Sequence, residues 1–156
     1  MTFDKKCQIF SQAEIASLRK GGAILRDCLQ YVSALVVPGI STLELDAKAE
    51  EFICLKGGRP AFKGYFGFTG TLCTSVNEEV VHGIPRKDKV LREGDIISLD
   101  CGVIYDDLYT DACVTVGVGL IKPAHQQFLT HVGKTLEDTI RDVVKAGVRV
   151  GDISAF

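Results

Sequence analysis

Two consecutive β-strands are predicted at residues 95–119, which read DIISLDCGVIYDDLYTDACVTVGVG. β-Branched and aromatic residues are frequent in both arms, and Asp106 and Asp107 form the short connection between them. The pattern indicates a tight β-hairpin. Asp100 and Asp111 lie an odd number of positions apart around its turn. In a hairpin with an even loop, this separation predicts that they lie directly opposite each other, with both carboxylates on one face.

Two carboxylates on one face of a hairpin need a compensating charge. The neighbouring strand residues are mostly apolar, and uncompensated ions in such surroundings cost several kcal/mol. Two divalent cations roughly 3.5–4 Å apart, bridged by the carboxylates, would supply that charge and would also activate a water molecule. The spacing alone leaves a second interpretation open, in which one aspartate faces solvent and the register is shifted.

Helices are predicted on both sides of this β-rich region. Ser11 and Ser41 are each followed three residues later by Glu, which is the pattern of a capping box at the start of an amphipathic helix. The first helix is expected to stop before Pro38 and the second at Gly57. A last long helix is expected to begin at Pro123 and to close at residues 146–147.

A weak internal repeat suggests how the chain is organised. Residues 36–45 (VVPGISTLEL) and 144–153 (VKAGVRVGDI) share one order of features: a helix end, a glycine, a β-branched residue and the start of a new helix. We therefore expect residues 1–156 to form a single catalytic-domain fragment of the α+β class. Residues 1–120 would be a first repeat with helices and the metal-binding hairpin, and residues 121–156 would begin a second repeat.

Composition limits the function classes. The 156 residues are 46% hydrophobic and 24% charged, which is typical of a globular domain rather than a disordered or membrane chain. The net charge of -2 lacks the basic excess of nucleic-acid-binding proteins. The start MTFDKK has no apolar signal core, and no apolar run reaches the about 18 residues of a membrane span. We expect a cytoplasmic protein that binds neither nucleic acid nor membrane.

The cysteines do not have metal-finger spacing. There are six, none in a CxxC pair, and they lie in apolar periodic stretches at positions 7, 28, 54, 73, 101 and 113. We expect reduced thiols packed in the interior.

Two further features could belong to a site. His82 precedes a glycine in VVHGIP, so its imidazole is held near a turn, where it could shuttle a proton; the alternative is an ordinary loop histidine. Aromatic residues crowd a glycine-containing loop just before Cys73, at positions 62, 65, 66 and 68. They could line a small apolar pocket or simply pack as a cap over the core.

Two blocks of sequence together resemble a known family. TSVNEEVVHGIP at residues 74–85 and EGDIISLDCGVIYDDLYTDACVTVGVG at 93–119 are similar to the type I methionine aminopeptidases of the creatinase-like "pita-bread" metallopeptidases. The order of blocks matches from the first helix through VPGIST to the last helix, so the resemblance covers essentially the whole chain. It implies the pita-bread fold, with the first repeat complete and the second truncated after its first helix. The hairpin tip departs from the family because it lacks a glycine.

The resemblance also implies roles for individual residues. Asp100 and Asp111 take the places of the first two ligands of a pair of divalent metal ions, which could be Co, Mn, Fe(II), Zn or Ni. His82 takes the place of the catalytic histidine that contacts the substrate near its amino terminus. The pocket for the methionine side chain would be lined by Phe62, Tyr65, Phe68 and Cys73.

The activity that the resemblance implies is removal of the initiator methionine from nascent proteins by attack of a metal-bound hydroxide. The implied binding partner is the N-terminus of a peptide or nascent chain. The resemblance also implies that the protein associates transiently with the ribosome. The family's remaining ligands, a His and two Glu, and a second histidine come from the second repeat, and nothing after Gly151 supplies them. We therefore expect a poorly active fragment. The alternatives are a non-catalytic pita-bread binding module and a relative of the Xaa-Pro-type dipeptidases.

Overall fold

The computed structural model describes residues 9–155, which leaves Cys7 outside the described part. The described chain divides into two compact units at Gly119 and Leu120. The helices and strands of the first unit are α1 (Gln12–Ala34), α2 (Thr42–Leu55), β1 (Arg59–Pro60), a 3-10 turn (Tyr65–Gly67), β2 (Leu72–Val76), β3 (Ile96–Tyr105) and β4 (Leu108–Gly117). The second unit contains α3 (Pro123–Asp142) and α4 (Val150–Ser154).

The first unit is built on a four-stranded antiparallel sheet with β3 at its centre. β4 pairs with the whole length of β3, while β2 and the short β1 pair with successive segments of it. Side chains alternate along β3, and those facing α1 and α2 are fully buried: Ile97, Leu99, Cys101 and Val103. Asp100 lies between two of these positions and therefore projects from the opposite face. The helices thus build the core on one side and leave the carboxylate face open.

Both predicted capping boxes are present. In each, the serine hydroxyl accepts a hydrogen bond from the backbone N–H of the glutamate three residues later, whose carboxylate accepts one from the serine backbone N–H. The prediction for the last helix was partly wrong. α3 begins at Pro123 as expected but ends at Asp142, before the predicted close. Its apolar positions Val132, Leu136 and Ile140 are all exposed.

The hairpin turn needs no glycine. Tyr105 pairs with Leu108, so that Asp106 and Asp107 alone form the loop, with φ of 49° and 59°. A two-residue loop of type I′ requires positive φ at both positions, and aspartate tolerates this conformation better than most residues. The side chains are also held: Asp106 accepts a hydrogen bond from the Ser17 hydroxyl at 2.7 Å, and Asp107 accepts one from Arg59 at 2.7 Å.

The expectation that the cysteines are packed inside is correct for only some of those described. Cys28, Cys73 and Cys101 are buried, but Cys54 and Cys113 are exposed. Cys113 pairs with Asp100 across the strands and therefore lies on the open face of the sheet, away from the helices. An apolar strand pattern does not distinguish the face covered by helices from the uncovered one.

Candidate active site

Asp100 and Asp111 share a face of the sheet, but they are not directly opposite each other. The observed register pairs Asp100 with Cys113 and Asp111 with Gly102, so the two aspartates are diagonal neighbours. The predicted register was therefore wrong by one cross-strand pair, because the loop consists of two residues centred on Asp106 and Asp107. Both aspartates still lie on the same face of the sheet, because side chains alternate along each strand and diagonal neighbours share a face.

The two carboxyls interact strongly. Burial raises the pKa of Asp100, and the nearby charge of Asp111 and a hydrogen bond with it raise it further. The charge of His82 acts in the opposite direction on that pKa. Asp100 is half-buried and Asp111 is exposed. Two neighbouring carboxyls whose charges repel each other indicate a site where a cation would be favourable.

His82 is held in place by its neighbour in sequence. Gly83 accepts a hydrogen bond from the Thr74 backbone N–H at 2.7 Å, and its own N–H donates to the Ser75 hydroxyl at 3.1 Å. A Cβ at Gly83 would overlap the Thr74 carbonyl oxygen, so only glycine fits this approach. His82 itself has a φ of 57°, in the left-handed region. The anchored glycine thus fixes the backbone from which the imidazole projects beside β2.

A single cavity of about 560 Å³ joins the predicted site residues. Its lining consists of Phe62, Tyr65, Phe66, Gly67, Phe68, Cys73, His82, Ile84, Asp100 and Asp111. Polar groups and aromatic rings therefore face the same space. Burial raises the pKa of the Cys73 thiol to about 11, so this thiol stays protonated near neutral pH and is a poor nucleophile.

A buried carboxylate supports the strand that leads into the pocket. Asp46 of α2 accepts hydrogen bonds from the backbone N–H groups of Thr71 and Leu72 at 2.7 and 2.8 Å. It is only 6% exposed, and burial raises its pKa more than these two hydrogen bonds lower it. Asp46 therefore ties the start of β2, and with it Cys73, to α2.

A comparison with known families identifies the chain's relatives. The sequence profile of metallopeptidase family M24 matches residues 16–156. The chain belongs to metallopeptidase family M24.

Relatives of this chain in the family include methionine aminopeptidases. That of Borreliella burgdorferi is 44% identical over 149 residues, which is 96% of this chain and 59% of the relative. That of Helicobacter pylori strain 26695 is 42% identical over 146 residues, covering 94% of this chain and 57% of the relative. The chain thus spans somewhat more than half the length of these M24 relatives.

Solved structures of M24 relatives confirm the expected pita-bread fold. The methionine aminopeptidase from Thermotoga maritima superposes with a TM-score of 0.90 at 39% identity, covering 94% of this chain and 59% of that one. A prolidase from Pyrococcus furiosus gives a TM-score of 0.82 at 20% identity, covering 94% and 42%. At 20% identity, the prolidase shows only that the two proteins share a fold. The Xaa-Pro-type dipeptidase alternative therefore has less support than the methionine aminopeptidase interpretation.

The candidate metal ligands of this M24 chain are two carboxylates. Within residues 9–155, no group of three or more His, Cys, Asp or Glu is arranged to hold a metal ion. The interacting pair Asp100 and Asp111 nonetheless has the hard oxygen donors and shared negative charge that a divalent cation neutralises. These two residues fit part of a metal site.

Sequence reasoning missed several residues that shape the M24 pocket. Phe66, Gly67 and Ile84 line it, although only Phe66 had been noted, as one of a crowded set. Gly102 was overlooked: a Cβ there would lie 2.7 Å from the Phe62 ring and 2.8 Å from the Ala61 Cβ. The available signal was a lone glycine inside a strand pattern, which often marks a close approach of another group.

In the part of the chain that the structure describes, no helix is both long enough and apolar enough to cross a membrane.

Proposed function

We propose that this chain is the part of a methionine aminopeptidase that receives the substrate's N-terminus and supplies two metal ligands. The observation that carries the proposal is the single cavity that joins Asp100, Asp111 and His82 to a wall of aromatic rings. An N-terminal methionine has an apolar side chain next to a cationic amino group and a scissile amide. The cavity offers an apolar wall and carboxylates in the same space, which matches that combination.

Asp100 and Asp111 would hold divalent metal ions, two in the complete site, with Co, Mn, Fe(II), Zn or Ni as candidates. When bound, such an ion supplies Lewis acidity for the scissile carbonyl and lowers the pKa of water. Further ligands must come from residues outside this pair, because two carboxylates offer too few donors for a closed coordination shell. A bound cation would compensate the mutual repulsion of these two carboxylates.

The remaining pocket residues bind and orient the peptide. His82 would hydrogen-bond the scissile amide as charge develops there, and the anchored backbone at Gly83 holds its Cα beside β2. Phe62, Phe68 and Tyr65, with Cys73, would surround the methionine side chain and exclude water from it. The protonated Cys73 thiol contributes apolar surface rather than a nucleophile.

The organisation of the protein is also part of the proposal. Residues 1–120 would be the first of two repeats and residues 121–156 the beginning of the second. The substrate would be a peptide or nascent-chain N-terminus, met in transient association with the ribosome. The described cysteines are all unpaired, which supports a cytoplasmic location.

A non-catalytic binding module is the second candidate. It is favoured by the presence of only two clustered ligands among residues 9–155. Removing the metal from the complete protein distinguishes the two candidates. A metallo-aminopeptidase would lose turnover on chelation, whereas a binding module would still bind its peptide.

Calorimetry and a peptidase assay on the 156-residue chain test the proposal. We expect no metal site tighter than about 10 μM, roughly -7 kcal/mol, and no turnover of a methionyl peptide with Co, Mn or Fe(II), because the ligand set is incomplete. Weak metal binding should be lost in Asp111→Asn and retained in Asp27→Asn, a half-buried aspartate on α1 outside the pocket. Equal binding by both variants would overturn the assignment of Asp111 as a ligand. Turnover abolished by a chelator and by Asp100→Asn would show that this part of the fold suffices.

A further inference from the structure

Phe66 has an unfavourable conformation at the mouth of the pocket. Its φ is 46°, in the left-handed region, where a bulky side chain without a polar group is rare. The flanking residues Gly64 and Gly67 also have positive φ, of 88° and 83°, but glycine adopts these values without strain. The strain in this loop is therefore concentrated at Phe66.

The loop is held closed by its own backbone. The Gly64 N–H donates to the Phe68 carbonyl at 2.7 Å, and the Phe68 N–H donates to the Tyr65 carbonyl at 2.9 Å. These two hydrogen bonds enclose Phe66 and impose its conformation. The backbone position from which the ring projects is therefore defined.

Burial within the chain does not offset the strain. The Phe66 side chain is 94% exposed, and its ring meets Tyr65 edge to face with 4.6 Å between centroids. Tyr65 is itself 68% exposed, and Ile84, which also lines the cavity, is 52% exposed. A strained, exposed aromatic residue beside other exposed apolar groups is a typical arrangement for contact with a ligand.

The proposed function determines which part of a peptide would reach this ring. Side chains of an extended peptide alternate, so the first and third residues point to the same side, about 6.6–6.8 Å apart. If the terminal methionine contacts the wall formed by residues 62–68, the third side chain points towards that same wall farther out. Phe66 is the most exposed of the four aromatic residues on that wall.

We propose that Phe66 is a specificity-determining residue that contacts an apolar side chain at the third position of the peptide. This inference rests on the proposed function, because it takes the pocket to bind the terminal methionine. The hydrogen-bonded loop holds the Phe66 backbone at the pocket mouth before the peptide arrives, so little backbone ordering remains to oppose binding.

Ligand-observed saturation-transfer NMR on the 156-residue chain tests this proposal. The probes are amidated Met-Ala-Leu and Met-Ala-Ser, which differ only at the third position. We expect the leucine peptide to bind about threefold to tenfold more tightly, as for one aromatic contact, with saturation reaching its leucine methyl groups. Phe66→Gly should remove this difference. Leu55→Ser, which removes an exposed apolar side chain at the end of α2, should keep it.

Thermal unfolding separates a binding role from a structural one. Glycine accepts the left-handed conformation, so Phe66→Gly should unfold at a temperature no lower than Phe66→Ala, which keeps the strain. A clear loss of stability in both Phe66→Gly and Phe66→Ala relative to the wild type would mean that the ring supports the fold, and would overturn the proposal.

The outcomes for the two proposals are distinguishable. Equal affinity of the wild-type chain for both peptides, or a difference that Phe66→Gly leaves intact, would overturn the role of Phe66 while methionine binding stands. Failure of the wild-type chain to bind either peptide would overturn both the Phe66 proposal and the assignment of the pocket to methionine.

Discussion

The ring of Phe62 rests against the backbone of Gly102, where an added Cβ would lie 2.7 Å from Cε1 of the ring. Gly102 pairs with Asp111 and lies two positions beyond Asp100 on the same strand. The missing side chain therefore makes room for an aromatic wall directly beside the two carboxylates. The wall and the proposed metal ligands meet because one strand position carries no side chain.

Gly102→Ala should destabilise the chain by about 1–3 kcal/mol and displace Phe62, because the added methyl group overpacks a filled space. Urea unfolding measures the loss. The matched control is Gly22→Ala, at a position in α1 where a Cβ meets nothing within 4 Å. That control should be stabilised by about 0.5–1 kcal/mol from helix propensity. If Gly102→Ala were as stable as the control, the close contact with Phe62 would be wrong.

His82→Ala should lower kcat by roughly 10²–10⁴-fold in a full-length version of the protein, with metal content unchanged. The reason is that the imidazole is proposed to act on the scissile amide and not on the metal. Steady-state kinetics and metal analysis of the purified variant check this. His131→Ala, an exposed histidine on α3, serves as the control. Loss of metal from His82→Ala would make His82 a ligand instead.

Phe68→Ala should weaken discrimination for methionyl over alanyl peptides by about 1–3 kcal/mol in kcat/KM, as for one poorly filled apolar subsite. The ratio of kcat/KM for the two peptides in a full-length version is the measurement. Phe128→Ala removes a 64% exposed aromatic residue outside the pocket and should leave the ratio unchanged. An unaltered ratio in Phe68→Ala would refute the pocket assignment.

Asp46 should give the stability of the chain a distinctive pH dependence. Burial raises the pKa of this carboxyl in the folded state; Glu50 raises it further, and Lys63 and the N–H groups of Thr71 and Leu72 lower it. A raised folded pKa means that the folded state holds the proton more tightly than the unfolded state does. The contribution of Asp46 is therefore most favourable below the unfolded pKa of about 3.9, and it declines as pH rises through the folded pKa.

Asp46→Asn removes this titration, so the variant isolates the effect from that of other carboxylates. The free energy of unfolding of the wild type minus that of Asp46→Asn should fall as pH is raised from 3 towards 7. Urea unfolding at several pH values measures the difference. A difference that stays constant or rises with pH would contradict the raised pKa.

Local interactions explain the features that were predicted correctly. The capping boxes at Ser11 and Ser41 are formed within four residues, and the Asp106–Asp107 turn is formed within two. The residues of such motifs make their own hydrogen bonds or accept the required φ values, so a sequence pattern is enough to recognise them. Asp100 and Asp111 were predicted to share a face because side chains alternate between the two faces of a sheet along each strand.

Errors arose where a feature depends on the exact offset between segments or on distant partners. One cross-strand step separates the predicted and observed positions of Asp100 and Asp111, and only the pairing of Tyr105 with Leu108 settles it. The end of α3 was predicted too late, because an apolar periodicity continues past the last helical residue. Exposure of Cys113 depends on which sheet face the helices cover.

By itself, the sequence determined the capped helices, the hairpin and its turn, and the positions of the two aspartates that are proposed as metal ligands. Those features depend on neighbours along the chain. Only the tertiary structure decided that Phe62 packs on Gly102, that Asp46 anchors the start of β2, and that Phe66 stands exposed at the pocket mouth. The Phe62–Gly102 and Asp46–β2 contacts join residues that are far apart in the sequence. The exposure of Phe66 depends on which surfaces the fold leaves accessible to solvent. Such relationships follow from steric fit and burial in three dimensions, which no local periodicity encodes.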